Sequence, residues 1–153
     1  MFNVLKNTSL FKNDNYRLVS INNNYDNRLL LFILLSVYKK DLSNYKTDEL
    51  NEITNNLKSK LNKYSKKKYK INYLNYNSNK HLNILSEIFK LNINIFNKNL
   101  DTIKFKSDTN FNKSLNLLYK NKSLYLISMK NNNGLIYQFQ KELQIGGVRQ
   151  EQM

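Results

Sequence analysis

At Leu91 the spacing of apolar residues changes, and that change limits the chain to a small set of folds. Upstream, Leu50, Ile53, Leu57, Leu61 and Tyr64 recur at intervals of 3, 4, 4 and 3, one face of a helix. Thr47 or Asp48 is the expected cap of this helix, with Asp48, Glu49 and Glu52 in its first turn and lysines towards its end. A lysine-rich connection is expected to follow it. Leu82, Leu85, Ile88 and Phe89 then repeat the helical pattern. Downstream the period is two. Leu91, Ile93 and Ile95 alternate with Lys90, Asn92 and Asn94, and Ile103 and Phe105 alternate with Lys104 and Lys106. Such strands are expected to set one face in the core and the other in water. Leu115 to Tyr119 and Leu124 to Met129 add two strands, joined by Lys120, Asn121 and Lys122, and Asn133-Gly134 suits a tight turn into Leu135 to Phe139. Nearer the N-terminus, Tyr16 to Ile21 reads as a short strand closed by Asn22, Asn23 and Asn24. Leu29 to Tyr38, apolar nearly all round, reads as a buried helix. Helices first and strands later predict an α+β domain whose strand-rich half is mainly antiparallel.

The 153 residues suit one domain with a real core. Residues 15–140 are expected to form it, with an N-terminal extension over 1–14 and a C-terminal tail over 141–153. The longest apolar run, Leu29 to Tyr38, is too short to span a bilayer. The first residues, MFNVLKNTSLFKNDNYR, lack a continuous apolar stretch and a small-residue cleavage site, and read as an ordinary segment in preference to a transit peptide. Every glutamine lies beyond residue 137, and the polar IGGVRQEQM at the end reads as a disordered tail in preference to an arm threading into a neighbour.

The chain is poor in reactive side chains. It has no cysteine and one histidine, His81, placed beside Lys80 at the start of a predicted helix, where a surface role is expected. Without thiols, disulfides and cysteine-bearing metal sites are excluded. Asp48, Glu49 and Glu52 fit the positive end of a helix better than an acid/base pair or metal cluster. Gly146-Gly147 has no strand before it and no helix after it, so no phosphate-binding loop is indicated. A non-enzymatic protein without cofactor or metal is the expectation.

What the chain has in excess is positive charge: 25 Lys and Arg against 11 Asp and Glu, a formal net charge of +14. Only Arg17, Arg28 and Arg149 are arginines. Ala, Pro, Trp and Cys are absent, and Asn makes up roughly a fifth of the residues, far from ordinary composition. Codons for Asn, Lys, Ile, Tyr and Phe are rich in A and T, so part of the lysine excess reflects an AT-rich genome. The charge is nonetheless concentrated. Between Lys58 and Lys70 the chain reads KSKLNKYSKKKYK: Lys58, Lys60, Lys63, Lys66, Lys67, Lys68 and Lys70 are candidates for phosphate contact, and Tyr64 and Tyr69 for stacking on unpaired bases. Tyr73 and Tyr76 are further aromatic candidates or core residues. The expected partner is RNA, together with neighbouring proteins, in a ribonucleoprotein such as the ribosome of a mitochondrion or other organelle. DNA of an AT-rich plasmid or virus is the alternative nucleic acid.

One family resemblance bears on the fold. The run Tyr25-Asp26-Asn27-Arg28-Leu29-Leu30-Leu31-Phe32 resembles the Asp-Gly-Asn-Cys-Leu-Phe-Arg signature that opens the catalytic helix of ovarian-tumour (OTU) cysteine proteases. HLNILSEIFKLNINIFN resembles that family's helix-then-strand segment, and SLNLLYKNKSLYLIS its paired terminal strands, so that the resemblance runs from about Tyr16 to Lys130. It implies an OTU-like fold without OTU chemistry. The nucleophile's position falls on Leu29, and the family's His-Tyr pair falls near Ser123, Leu124 and Tyr125, where there is no imidazole. Asp26 would be a remnant of the segment that organises the oxyanion pocket. The resemblance therefore implies at most a catalytically inactive module that binds ubiquitin-like or other protein partners.

Overall fold

A computed structural model describes residues 2–5, 16–38, 42 and 44–129. Its elements, in chain order, are β1 (Phe2–Leu5), β2 (Tyr16–Ile21), α1 (Tyr25–Val37), α2 (Thr47–Tyr69), α3 (Asn79–Phe89), β3 (Asn92–Phe96), β4 (Ile103–Lys106), β5 (Ser114–Lys120) and β6 (Ser123–Met129). The class is α+β, as the change of period implies. The turn expected at Asn133-Gly134, its following strand and the C-terminal tail lie outside the described residues. Within the segment expected as an N-terminal extension, Phe2–Leu5 forms the strand β1.

The six strands form one sheet in the order β1-β2-β6-β5-β3-β4. Every pairing is antiparallel except β3 with β5, which run parallel with Asn94 beside Asn116 and Ile95 beside Leu117. One sheet face carries Val19, Ile21, Ile93, Ile95, Leu115, Leu117, Leu124 and Leu126 into the main core with the helices. On the other face Tyr16, Leu18, Phe96, Leu118 and Ile127 form a second cluster, which Leu100 joins from the β3–β4 connection. The expectation of one dry and one wet face is thus corrected for β3, where Asn94 is only 5% exposed. It holds for β4, whose Lys104 and Lys106 are exposed.

The helix α1 begins at Tyr25, ahead of the expected Leu29, because the Asn24 side chain accepts the Asn27 N–H at 2.9 Å and caps it. Leu29, Leu30, Leu31, Phe32, Ile33 and Leu35 are all buried, each such side chain stabilising the fold by about 1.5–3 kcal/mol. The helix lies against α2 on one side and β6 on the other.

In α2 the N-cap is Lys46 and not Thr47 or Asp48. Glu49 reaches back to accept the Lys46 N–H at 3.1 Å, half of a capping box. Nor does the helix give way to a lysine-rich connection after Tyr64. Its buried face, Leu50, Thr54, Leu61 and Ser65, continues one turn further with a small residue where Tyr64 was expected, and the positive charges of Lys66, Lys67 and Lys68 suit a helix C-terminus. Tyr64 turns outwards, 39% exposed.

Glycine is absent from the described segments, so other residues take left-handed backbone conformations. Lys70 (φ 60°) and Lys90 (φ 56°) end α2 and α3, and the next N–H in each case closes on the helix: Ile71 to the Ser65 carbonyl at 3.2 Å, Leu91 to the Ser86 carbonyl at 3.1 Å. Asn121 (φ 54°) and Lys122 (φ 59°) form the two-residue hairpin between β5 and β6. A side chain with a Cβ resists this conformation by about 1–2 kcal/mol. Lys122→Gly is therefore expected to stabilise the protein by about 0.5–1.5 kcal/mol, read as a raised thermal midpoint with the same far-ultraviolet spectrum.

Candidate nucleic-acid interface

The residues proposed for phosphate contact lie on the second half of α2 and at its end. At 3.6 residues per turn, Lys60, Lys63 and Lys67 fall on one exposed face, which Lys66 and Lys70 extend at the C-terminal end. Lys58 is half-buried on a different side. Between Glu52 and Glu87 the sequence has no acidic residue and eight lysines. The same helix is acidic at its first turn, with Asp48 and Glu49, so its charge separation complements the backbone dipole.

Lys68, Tyr64 and Tyr69 are arranged differently. The Lys68 ammonium lies 5.6 Å from the Tyr64 ring centroid and 5.5 Å from that of Tyr69, and the two rings meet edge to face at 6.3 Å. A hydrogen bond with the Tyr64 hydroxyl, helped by the charges of Tyr64, Tyr69 and Glu87, raises the Lys68 pKa above its ordinary value. Tyr69 donates from its hydroxyl to Glu87 of α3 at 3.1 Å, which ties the end of α2 to α3. This trio is a structural clasp at the base of the ridge. Tyr73, 78% exposed just beyond the helix, is the open ring of the region, whereas Tyr76 is buried in the core. Sequence spacing alone does not separate the two.

His81 acts locally. Its Nδ1 accepts the Asn75 N–H at 2.7 Å, holding the turn before α3, while Ser78 caps that helix. Among the described residues no three His, Asp or Glu side chains converge as a metal-binding group, and no helix is long and apolar enough to cross a membrane.

At the positions singled out by the OTU resemblance, Leu29 is fully buried. Its neighbour Arg28, 7% exposed, donates to the Ser20 hydroxyl at 2.9 Å and sets its guanidinium 4.7 Å from the Tyr125 ring centroid. Burial lowers its pKa, an effect partly offset by Tyr125. Arg28 thus links α1 to β2 and β6. At the start of α1, Asn23, Asn27 and Asn51 form an amide cluster: Asn23 donates to Asn51 at 3.0 Å and Asn27 to Asn23 at 2.9 Å.

The loop after β4 carries no motif that marks it in the sequence. Residues 107–113 are fastened to α3 and β3 by side chains. Ser107 Oγ accepts the Ile93 N–H at 2.9 Å, and the Asp108 N–H goes to Asn83 at 2.7 Å. Asn92 is the hub: its Oδ1 accepts from Thr109 Oγ1 at 2.9 Å and from the Phe111 N–H at 3.0 Å, while its Nδ2 donates to the Phe111 carbonyl at 2.9 Å. Under this loop lies a cavity of about 420 Å³, whose lining includes Asn92, Asn94, Lys106, Asn110, Phe111 and Asn112. Its one signal in the sequence is the pair Asn92 and Asn94 on one face of β3, which alternation alone sets towards solvent.

Compared with known proteins, the chain matches no family model and no curated sequence.

Two phenols, the buried Tyr76 and the half-buried Tyr25, give a pH signature. Burial pushes Tyr25 and Tyr76 up to about 12, the Asp26 charge adding to both. Because the fold holds these phenols neutral, the stability they contribute is intact below the unfolded value of 10 and is lost as pH rises from there through about 12. Tyr76→Phe removes a hydroxyl that is buried without a partner. Equal or higher stability at pH 7 and a shallower loss above pH 10, followed by denaturant unfolding, are the expected results.

Proposed function

We propose that this protein is a non-enzymatic RNA-binding component of a ribonucleoprotein, using the α2 ridge to hold the phosphate backbone. The observation that carries this reading is the ridge itself: Lys60, Lys63 and Lys67 exposed on one helical face and extended by Lys66 and Lys70, in a stretch without acidic residues. Point charges on a rigid helix bind phosphates without reading sequence, which suits a structural contact in an assembly. The AT-driven composition supports an organellar, and particularly a mitochondrial, ribosome as that assembly. The sheet serves as a protein-facing scaffold.

A second reading, a catalytically inactive OTU-like module for a ubiquitin-like or other protein partner, draws on one observation: α1 packs on β6, with Arg28 against Tyr125, the two segments that the resemblance pairs.

The test is binding of the full chain to structured and single-stranded RNA across a salt series. Five phosphate contacts give a log–log salt slope of about −4.5 on a duplex of the B-DNA type and about −3.5 on single strands. Replacing Lys60, Lys63 and Lys67 together by Gln is expected to make the single-strand slope shallower by about 2 while leaving thermal stability within about 0.5 kcal/mol. No binding at low salt, or unchanged isotherms in the triple variant, refutes the reading. Equal competition by duplex DNA favours the plasmid or viral alternative.

A further inference from the structure

We infer that the cavity beneath the 107–113 loop is a pocket for one unpaired nucleotide base, placed beside the lysine ridge so that a strand held on α2 delivers a base into it. This rests on the RNA reading above and adds a site to it.

The end of α2 and the cavity both lie against the C-terminal end of α3. Tyr69, at the end of α2, is bonded to Glu87 of α3. Lys90, the left-handed residue that ends α3, sets its ammonium 5.9 Å from the Phe111 ring centroid. Phe111 lines the cavity.

The lining suits a base. A volume of about 420 Å³ lies within the range of small-molecule sites, about 300–1,000 Å³. Phe111 offers a ring for stacking, the means by which unpaired bases are held. Asn110 and Asn112, exposed at the rim, carry amide donors and acceptors that match base edges. Asn94, also in the lining, donates from Nδ2 to Asn116 Oδ1 on the adjacent strand at 3.1 Å, which fixes its amide. Lys106 in the lining and Lys90 on Phe111 favour a ligand that carries phosphate over a neutral sugar.

The pocket is preformed. Asn92 commits its whole amide to Thr109, Phe111 and Ser114, and Ser86, Ser107 and Thr109 join their hydroxyls behind it. A loop held this way gives up little conformational entropy when it takes a ligand.

The experiment has two arms on the full chain. In the first, uridine, cytidine, adenosine and guanosine monophosphates are titrated while the backbone amide resonances are followed. Shifts concentrated at Asn94, Asn110, Phe111 and Asn112 for at least one nucleotide are expected; no shift there with any of the four up to millimolar concentration overturns the pocket. In the second, Phe111→Ala and Asn112→Ala are compared with the native chain for binding single-stranded RNA oligomers. A loss of about ten-fold is expected, with an unchanged salt slope because the phosphate contacts stay in place. Binding by both variants at native affinity overturns the proposal and leaves the ridge standing. If the native chain binds no RNA at all, the ridge reading falls, and the mononucleotide arm still decides the pocket. Asn112, exposed on the loop, serves as the second variant where removal of Phe111 unsettles the fold.

Discussion

Everything in this protein is arranged around α1. A helix apolar on nearly every side has no stable place at a surface, so it requires cover from several directions. The sheet provides one wall and α2 another, and Arg28 reaches from its first turns to Ser20 and Tyr125 on two strands. Once α1 is enclosed, α2 has one face committed to the core. Its remaining faces are then free to carry charge, and the lysines occupy them. The ridge is thus a by-product of geometry as much as of composition: a helix with one dry side holds its cations in a fixed row.

Asparagine fills many positions that other proteins assign to glycine, serine or charged pairs. Asn24 caps α1, Asn23, Asn27 and Asn51 form a cluster at its start, Asn121 turns a hairpin and Asn92 organises a loop. An amide has both a donor and an acceptor and no net charge, so it satisfies buried backbone groups without the desolvation that an ion would incur. An asparagine-rich composition is here absorbed into a consistent scheme of hydrogen bonds. The same residue leaves open groups where the scheme does not close, at Asn94 and Asn116 above all.

The elements are largely legible in the sequence because hydrophobic period is a local property. Tyr16–Ile21 is readable to the residue, and β3 to β6 emerge from alternation or short apolar runs. The helix ends are less so. The cap of α2 depends on Glu49 folding back to Lys46, and its extension to Tyr69 depends on Ser65 being small enough for the core, a tertiary fact. For the same reason Tyr64 leaves the buried face on which its spacing sets it. The lysine ridge is readable as a cluster but not as a face, since the face exists only if the helix continues. Of the cavity only the pair Asn92 and Asn94 is readable, and not the enclosure. It needs β3 and β5 side by side in parallel, a pairing between segments that no local pattern connects.

The strand order carries a consequence for how the chain comes to be folded. β2, among the first elements to be synthesised, pairs with β6 at the far end of the described chain, with Tyr16 opposite Met129. A sheet closed between such distant segments has high contact order and forms slowly. Until β6 emerges, α1 lacks the wall that shelters it, and a strongly apolar helix stands exposed beside a cationic one. For a nascent chain this is an interval of aggregation risk, and it closes only when β6 joins β2.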